Sequence, residues 1–176
     1  MSRNYLTLLL AVLFTAGTLS VSGQDIRKTM SLQDLVGDWG LVAEDTRVPG
    51  GKRDGNEILR IAVEDSEVTI FRRFEDEKGF IERTFVYFAD GRGENNRWTS
   101  QDGTVMEQKT KTTWKKGVLL RKGSYKMRQG LMDSEERCRL SNDLQKLECD
   151  QLHRRPGARS LPFERDFTNR LIYKRI

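Results

Sequence analysis

Cys138 and Cys149 are the only cysteines in the 176-residue chain, and their spacing suits oxidation to a disulfide. A hairpin with residues 142–145 as its loop places the two cysteines directly opposite each other. The same register sets apolar residues against apolar ones and opposite charges against each other: Leu140 with Leu147, Arg139 with Glu148, and Arg137 with Asp150. We therefore expect a structural disulfide formed in an oxidising compartment. A redox or metal role would need a Cys-x-x-Cys spacing or further ligands.

Residues suited to catalysis are few. His153 is the only histidine, and it lies in a basic segment with Pro and Gly, so we predict a solvent-exposed loop residue without a general-base role. The acidic run 75–77 lacks the alternating oxygen donors of a calcium loop and is predicted to be a hairpin tip. The chain carries no recognisable Ser/His/Asp set, zinc-type histidine cluster or Gly-rich phosphate loop. We expect a non-enzymatic protein with no metal and no cofactor.

Two arginines interrupt apolar stripes in neighbouring strand patterns. Arg72 shares a predicted strand face with Ile70. Arg83 shares another face with Phe85 and Tyr87. An arginine in such a stripe can bind the carboxylate or phosphate head of an amphiphile through paired, charge-assisted hydrogen bonds. The alternative is that both arginines lie outside and cover apolar surface with their stems, because both faces of these strands carry aromatic residues.

A third strand pattern, over residues 104–114, has one uncharged face. Gln108 and Trp114 lie on it, while Lys109 and Lys111 lie on the other face. Such a face suits either a moderately polar cavity or a half-buried sheet. We expect Trp114 to serve as core or rim packing in preference to a stacking platform for sugars or bases, since aromatic residues are ordinary core material. The candidate ligand-binding residues are therefore Arg72, Arg83, Phe85, Tyr87, Gln108 and Trp114.

Period-2 runs separated by turn residues dominate the chain and predict an all-β protein. We predict ten strands, near residues 39–43, 57–63, 67–74, 80–88, 93–99, 104–114, 118–128, 135–140, 146–152 and 171–174. A short helix is predicted at 31–36, and residues 162–169 are predicted to form one or two helical turns before the last strand. Consecutive hairpins are the simplest connection, and closure into an antiparallel up-and-down barrel of about 8–10 strands would remove the exposed edges.

Residues 1–23 have the basic start, apolar run and small-residue end of a signal peptide. We divide the chain into this segment, a lead-in over residues 24–36, and a single barrel domain over residues 37–176. The charge excess is modest, with 31 Lys and Arg against 26 Asp and Glu. Acidic residues are interleaved with the basic ones, so we expect solvated strand faces and no nucleic-acid partner.

Gly37 and Trp39 form a Gly-x-Trp motif at the start of the first predicted strand. With the meander, a late helical segment and a closing strand, the chain resembles the lipocalin group of calycin barrels. In that family the tryptophan plugs the closed end of the barrel and an arginine near the C-terminus packs over its ring. The resemblance implies structural roles for Gly37, Trp39 and either Arg170 or Arg175.

These patterns together predict an exported, secreted or periplasmic protein that carries a small hydrophobic or amphiphilic molecule in a barrel lumen. We expect no integral membrane association. The alternative is a protein-interaction module, for example a hydrolase inhibitor, that acts through the loops at the barrel rim.

Overall fold

The computed structural model describes residues 29–42, 56–76, 79–100, 103–127, 130–154 and 166–176. The predicted signal peptide 1–23 lies outside these ranges. A 3-10 helix at Leu32–Leu35 lies within the predicted helix at 31–36. Ten strands follow it: β1 Gly37–Leu41, β2 Ile58–Glu64, β3 Glu67–Asp76, β4 Gly79–Phe88, β5 Glu94–Thr99, β6 Val105–Lys115, β7 Val118–Met127, β8 Gly130–Leu140, β9 Lys146–Arg154 and β10 Phe167–Arg175.

The ten strands form one antiparallel sheet in the order β4-β3-β2-β1-β10-β9-β8-β7-β6-β5. Strand β10 returns beside β1, with Trp39 opposite Arg175 and Leu41 opposite Tyr173. Side chains alternate between the interior and the outer face, as the period-2 pattern requires. The expected all-β, antiparallel, up-and-down architecture is confirmed, and the barrel is nearly closed.

The remaining seam lies between β4 and β5, where the simple hairpin expectation is wrong. The backbone at 89–93 skips β5 and contacts β6 instead, since the Trp114 amide donates to the Ala89 carbonyl at 2.9 Å. Farther along the seam, the Asn96 side chain makes the hydrogen bonds to β4 that a neighbouring strand would otherwise make. Its Oδ1 accepts from the Val86 amide and its Nδ2 donates to the Val86 carbonyl, both at 2.9 Å. Side chains therefore close the seam where backbone pairing stops.

The closed end of the barrel is built around Trp39, which is fully buried. Its indole Nε1 donates to the Leu35 carbonyl at 3.0 Å, which ties it to the 3-10 helix. The Arg175 guanidinium lies 4.3 Å from the centroid of the Trp39 ring. Arg175 also donates to the carbonyl groups of Asp34, Val36 and Leu144. Arg170 does not take this role, because its side chain points outward to Glu148 at 2.9 Å.

Two glycines allow close approach inside this architecture. Gly37 has a φ of 142°, and a Cβ there would lie 2.8 Å from Nη1 of Arg175. Gly123 of β7 faces Thr110 of β6, and a Cβ there would lie 2.0 Å from the Lys109 carbonyl oxygen. A side chain cannot fit at Gly123, so this position permits the tight coiling of β6 against β7.

The β8–β9 hairpin has the predicted register. Cys138 pairs with Cys149, and Leu140 pairs with Leu147. The two sulfurs form a disulfide, and both cysteines are buried. This part of the prediction is confirmed. The sequence determines the register here because apolar residues and opposite charges pair symmetrically about a single short loop.

Two predictions near the C-terminal end are wrong. Residues 167–169 belong to β10 and are not helical, while residues 162–165 of the predicted helical segment lie outside the described residues. His153 lies within β9, opposite Phe167 of β10, and not in an exposed loop. Both strands extend farther than their apolar pattern suggests, because backbone pairing continues past the last aliphatic residue.

Candidate functional site

A cavity of about 140 Å³ occupies the interior of the barrel. Its aliphatic and sulfur lining comes from several strands and the 3-10 helix: Leu35, Leu59, Ile61, Ile70, Leu119, Leu147, Cys138 and Cys149. Its aromatic and polar lining comprises Arg72, Arg83, Phe85, Tyr87, Trp98, Gln108, Arg121, Tyr125, Glu136, Gln151 and Tyr173. The interior therefore combines apolar surface with a few convergent polar groups, which is the usual make-up of a small-molecule site.

The size of the cavity restricts what it can hold. At about 140 Å³ it is similar in volume to an apolar cavity of roughly 150 Å³, engineered in another protein, that binds benzene. It lies below the roughly 300–1,000 Å³ of sites for drug-sized ligands. A small or slender molecule fits this space without movement of the strands.

One buried ion pair lies at the β2 side of the lumen. Glu57 is 1% exposed, and its carboxylate is 2.7 Å from Nε of Arg72 on β3. The Tyr173 hydroxyl donates to Oε1 of Glu57 at 2.7 Å. Burial acts to lower the pKa of Arg72, but the nearby Glu57 carboxylate and Tyr173 phenol outweigh it and raise that pKa. Arg72 is thus a cation whose charge is already neutralised.

A second ion pair lies across the lumen. Arg121 of β7 pairs with Glu136 of β8, and Gln151 of β9 donates to the same carboxylate. Arg121 also lies 4.1 Å from the centroid of the Tyr87 ring. Burial raises the pKa of Tyr87 to about 12, against the opposing effect of Arg121. The phenol therefore stays protonated at neutral pH and donates to Gln108, with the two oxygens 3.2 Å apart.

Arg83 is the third lumenal cation, and among the described residues it has no carboxylate partner. Its guanidinium lies over Phe74 at 5.4 Å and over Trp98 at 5.5 Å. Nε of Arg83 is buried and makes no hydrogen bond to the described residues. Arg83 pairs in register with Arg72; burial, and then this neighbouring charge, lower the pKa of Arg83. An anion bound here would relieve both effects.

Aromatic rings extend from Arg83 along the end of the barrel opposite Trp39. Trp98 contacts Phe85 edge to face, with ring centroids 5.3 Å apart. Tyr125 continues the row between Trp98 and His153, at 6.2 Å from each. His153 then stacks on Phe167, with ring centroids 4.6 Å apart. Burial, and then Arg121, lower the pKa of His153, so its imidazole is neutral at pH 7.

Five of the six predicted ligand-binding residues line the cavity: Arg72, Arg83, Phe85, Tyr87 and Gln108. Trp114 does not, and it packs against the core near the seam. Sequence reasoning missed Glu57 and Glu136, because the sequence does not distinguish a buried glutamate in a strand from a solvent-exposed one. A signal in the sequence could have found Glu136 and His153. Side chains an even number of residues apart on a strand share a face, so Glu136 faces inward with Cys138, and His153 faces inward with Cys149.

The Glu136 carboxylate lies beside the disulfide, and these three side chains bring their ligand atoms within 4.8 Å of one another. Sulfurs joined in a disulfide offer no thiolate to a metal ion. The Glu136 carboxylate is also already paired with Arg121. We therefore assign no metal role to this group in the oxidised protein.

The sequence matches no protein-family model and no curated protein. Three solved structures share its outline: a REP1-NXSQ fatty acid transporter, secretory abundant heat soluble protein 4 from Ramazzottius varieornatus, and a zebrafish ileal bile acid-binding protein complexed with cholic acid. Identities are 15%, 16% and 12%, and TM-scores are 0.48, 0.49 and 0.45. The matches cover 81%, 84% and 81% of this chain, and 96%, 98% and 99% of the others.

None of these TM-scores reaches 0.5, so the fold is assigned from strand order and register. Ten antiparallel strands in a nearly closed barrel, with a tryptophan and an arginine at the closed end, fit the calycin, lipocalin-like fold. Within the described part of the chain, no helix has the length and apolar character needed to cross a bilayer.

Proposed function

We propose that this protein is exported and holds a small amphiphile with an anionic head group in its lumen, without catalysing a reaction on it. The observation that carries the proposal is Arg83, a partly buried arginine with a buried Nε, which lies in an aromatic setting and has no carboxylate partner among the described residues. Arg72 and Arg121 are each neutralised by a glutamate. An anionic head group would complete the charge balance at Arg83.

The apolar lining supports a hydrophobic body for the same ligand. Phe85 and Trp98 lie next to Arg83. Aliphatic side chains, among them Leu59 and Leu119, line the cavity toward the closed end of the barrel. The cavity volume of about 140 Å³ favours a short or slender hydrocarbon chain over a bulky ring system.

The two lumenal carboxylates support binding over catalysis. A general base needs a free lone pair within reach of the reacting proton. Glu57 accepts from Arg72 and Tyr173, and Glu136 is held by Arg121 and Gln151. Both carboxylates are therefore already engaged by neighbouring side chains of the protein.

Export is supported by the disulfide between Cys138 and Cys149, since such bridges form and persist in oxidising compartments. The signal-peptide pattern of residues 1–23 agrees with this proposal. Secretion and a periplasmic location are both compatible with it.

Calorimetric titration with ligands of one chain length and different heads tests the proposal. Octanoate and octyl phosphate should bind more tightly than octanol, and octyltrimethylammonium should bind most weakly. Arg83→Met keeps an unbranched apolar stem and removes the charged guanidinium. It should weaken octanoate binding roughly 10- to 100-fold, which is the range for a hydrogen bond to a charged group, while octanol binding changes little.

Arg97→Met is the matched control, because Arg97 lies on the outer face of β5 and should leave octanoate binding unchanged. Equal affinity for octanoate and octanol, or an unchanged octanoate affinity in Arg83→Met, would refute the assignment of Arg83. Failure to bind any of the four ligands would instead favour the interaction-module alternative. Residues 43–55 and 155–165 lie outside the described residues. The alternative of a protein-interaction module that acts through rim loops therefore stays a prediction.

A further inference from the structure

The outer face of β5, β6 and β7 carries a dense group of positive charges. Six cationic side chains point outward there, and Glu107 is the single carboxylate among the outward-facing residues of these three strands. The six cations are Arg97, Lys109, Lys111, Lys115, Lys122 and Lys126. Glu94, at the start of β5, turns inward and accepts hydrogen bonds from Thr110 and Thr112. The formal net charge of the whole chain is only +5. The six cationic side chains are exposed, as expected for a solvated strand face. The expectation of evenly spread charge does not hold here, because the strand register aligns lysines that are interleaved with other residues in sequence.

Part of this arrangement works against the stability of the sheet. Lys111 lies directly opposite Lys122, and like charges in that position are destabilising. Lys122 is compensated by Glu135 of β8 at 3.0 Å. Lys111 has no ion-pair partner among the described residues, and Lys109 reaches Glu107 only at 4.0 Å. A surface that tolerates such repulsion suits an external partner of opposite charge.

The same face ends in exposed apolar side chains at the open end of the barrel. Val105 begins β6 and is 53% exposed, and Leu131 on β8 is 54% exposed. Lys126 pairs in register with Leu131 and with Glu107, two residues from Val105. Strand spacing and rise place Val105 and Leu131 about 12 Å apart. Phe80, at the start of β4, is a further exposed apolar residue at this end.

We propose that this basic face, with Val105 and Leu131 at its rim, docks on an anionic lipid bilayer surface. Cations near the surface of such a bilayer each add about 1 kcal/mol of attraction, and apolar tips enter the head-group region. A soluble polyanion would use the lysines but would gain nothing from the two apolar side chains. The inference is independent of the lumenal ligand, because none of these side chains lines the cavity.

Co-sedimentation of the purified protein with lipid vesicles tests the proposal. Vesicles of phosphatidylglycerol and phosphatidylcholine should bind the protein at low salt, and vesicles of phosphatidylcholine alone should not. The triple variant Lys109→Gln, Lys111→Gln, Lys126→Gln should lower the partition coefficient on the order of 100-fold. Val105→Ser with Leu131→Ser should lower it about tenfold while leaving every charge in place.

A second triple variant provides the matched control. Arg139→Gln, Lys146→Gln, Lys174→Gln removes the same charge from exposed positions on β8, β9 and β10. It should retain most of the vesicle binding, and circular dichroism should show that all variants are folded. Equal losses in the two triple variants would overturn the proposal in favour of a nonspecific effect of net charge. Absence of vesicle binding by the unmodified protein would also overturn it. So would tight binding to heparin that Val105→Ser with Leu131→Ser leaves unchanged, because the partner would then be a soluble polyanion.

Discussion

Replacing Glu57 by glutamine should destabilise the folded barrel by about 3 kcal/mol. The substitution keeps the size of the side chain and removes the charge that faces Arg72. The Glu57 carboxylate is 2.7 Å from Nε of Arg72, and its other oxygen accepts from Nη2 at 3.0 Å. Tyr173 donates to the same carboxylate at 2.7 Å. An amide can still accept from Tyr173, but it cannot neutralise the guanidinium.

The size of the effect follows from burial. Removing one partner of a buried ion pair costs about 3–5 kcal/mol, because the other charge is left uncompensated in a medium of low polarity. Glu57 is almost completely buried, but the Arg72 side chain keeps 22% of its exposure. Water therefore screens part of the remaining charge, and the lower end of the range applies. For a domain of this size, about 3 kcal/mol corresponds to a decrease in Tm of about 10 °C.

Urea denaturation followed by circular dichroism measures this change directly. Glu148→Gln is the control, because its pair with Arg170 is exposed at 51% and 41%, and its loss should cost less than about 0.5 kcal/mol. The triple variant Glu57→Leu, Arg72→Met, Tyr173→Phe removes the three polar side chains described here together. It should be within about 1–2 kcal/mol of the unmodified protein, since well-packed apolar groups can replace a buried pair.

A loss below about 1 kcal/mol for Glu57→Gln would contradict this reasoning, since it would show that Arg72 does not depend on Glu57. A triple variant less stable than the single one would contradict it too. It would mean that the cost arises from altered packing and not from the unpaired charge.

Arg175→Met should cost about 3 kcal/mol in urea denaturation, because it removes three hydrogen bonds to carbonyl groups and the contact with Trp39. The paired change Cys138→Ser with Cys149→Ser opens a disulfide whose cysteines are 11 positions apart and should lower the free energy of unfolding by about 3 kcal/mol; an unchanged value would mean that strand pairing alone holds this hairpin. His153 has a lowered pKa in the folded state, so the unfolded chain binds its proton first, and stability should fall as the pH falls below about 6.5. His153→Phe should flatten that dependence, and a His153→Phe profile that still falls as steeply would assign the effect to other groups.

The sequence identifies the local parts of this molecule best. The register around Cys138 and Cys149 is predicted correctly because one short loop and one pattern of pairs determine it. The number of strands follows from turn residues, and closure follows from the need to cover edges. The Trp39 plug was inferred by resemblance, but the choice between Arg170 and Arg175 depends on which face of β10 points inward.

The lumen was harder to predict because its contacts are distant in sequence. The partner of Glu57 on β10 is 116 positions away, and no local pattern reveals it. The facing of Arg72 was ambiguous because Phe71 and Phe74 place aromatic rings on opposite faces of β3. The β4–β5 seam was missed because the Asn96 side chain pairs with the backbone of Val86 in place of a strand, and a strand pattern does not show which side chains replace backbone pairing.

The strand order has a consequence for how the chain acquires its structure. Every neighbour in the sheet is also a neighbour in sequence except the pair β1 and β10. The local hairpins can form within microseconds. Pairing of β1 with β10 is opposed by the entropy cost of closing a long loop. Arg175 reaches Val36 across 139 positions. We therefore expect β1 and β10 to pair late in refolding, and the environment of Trp39 to report that step.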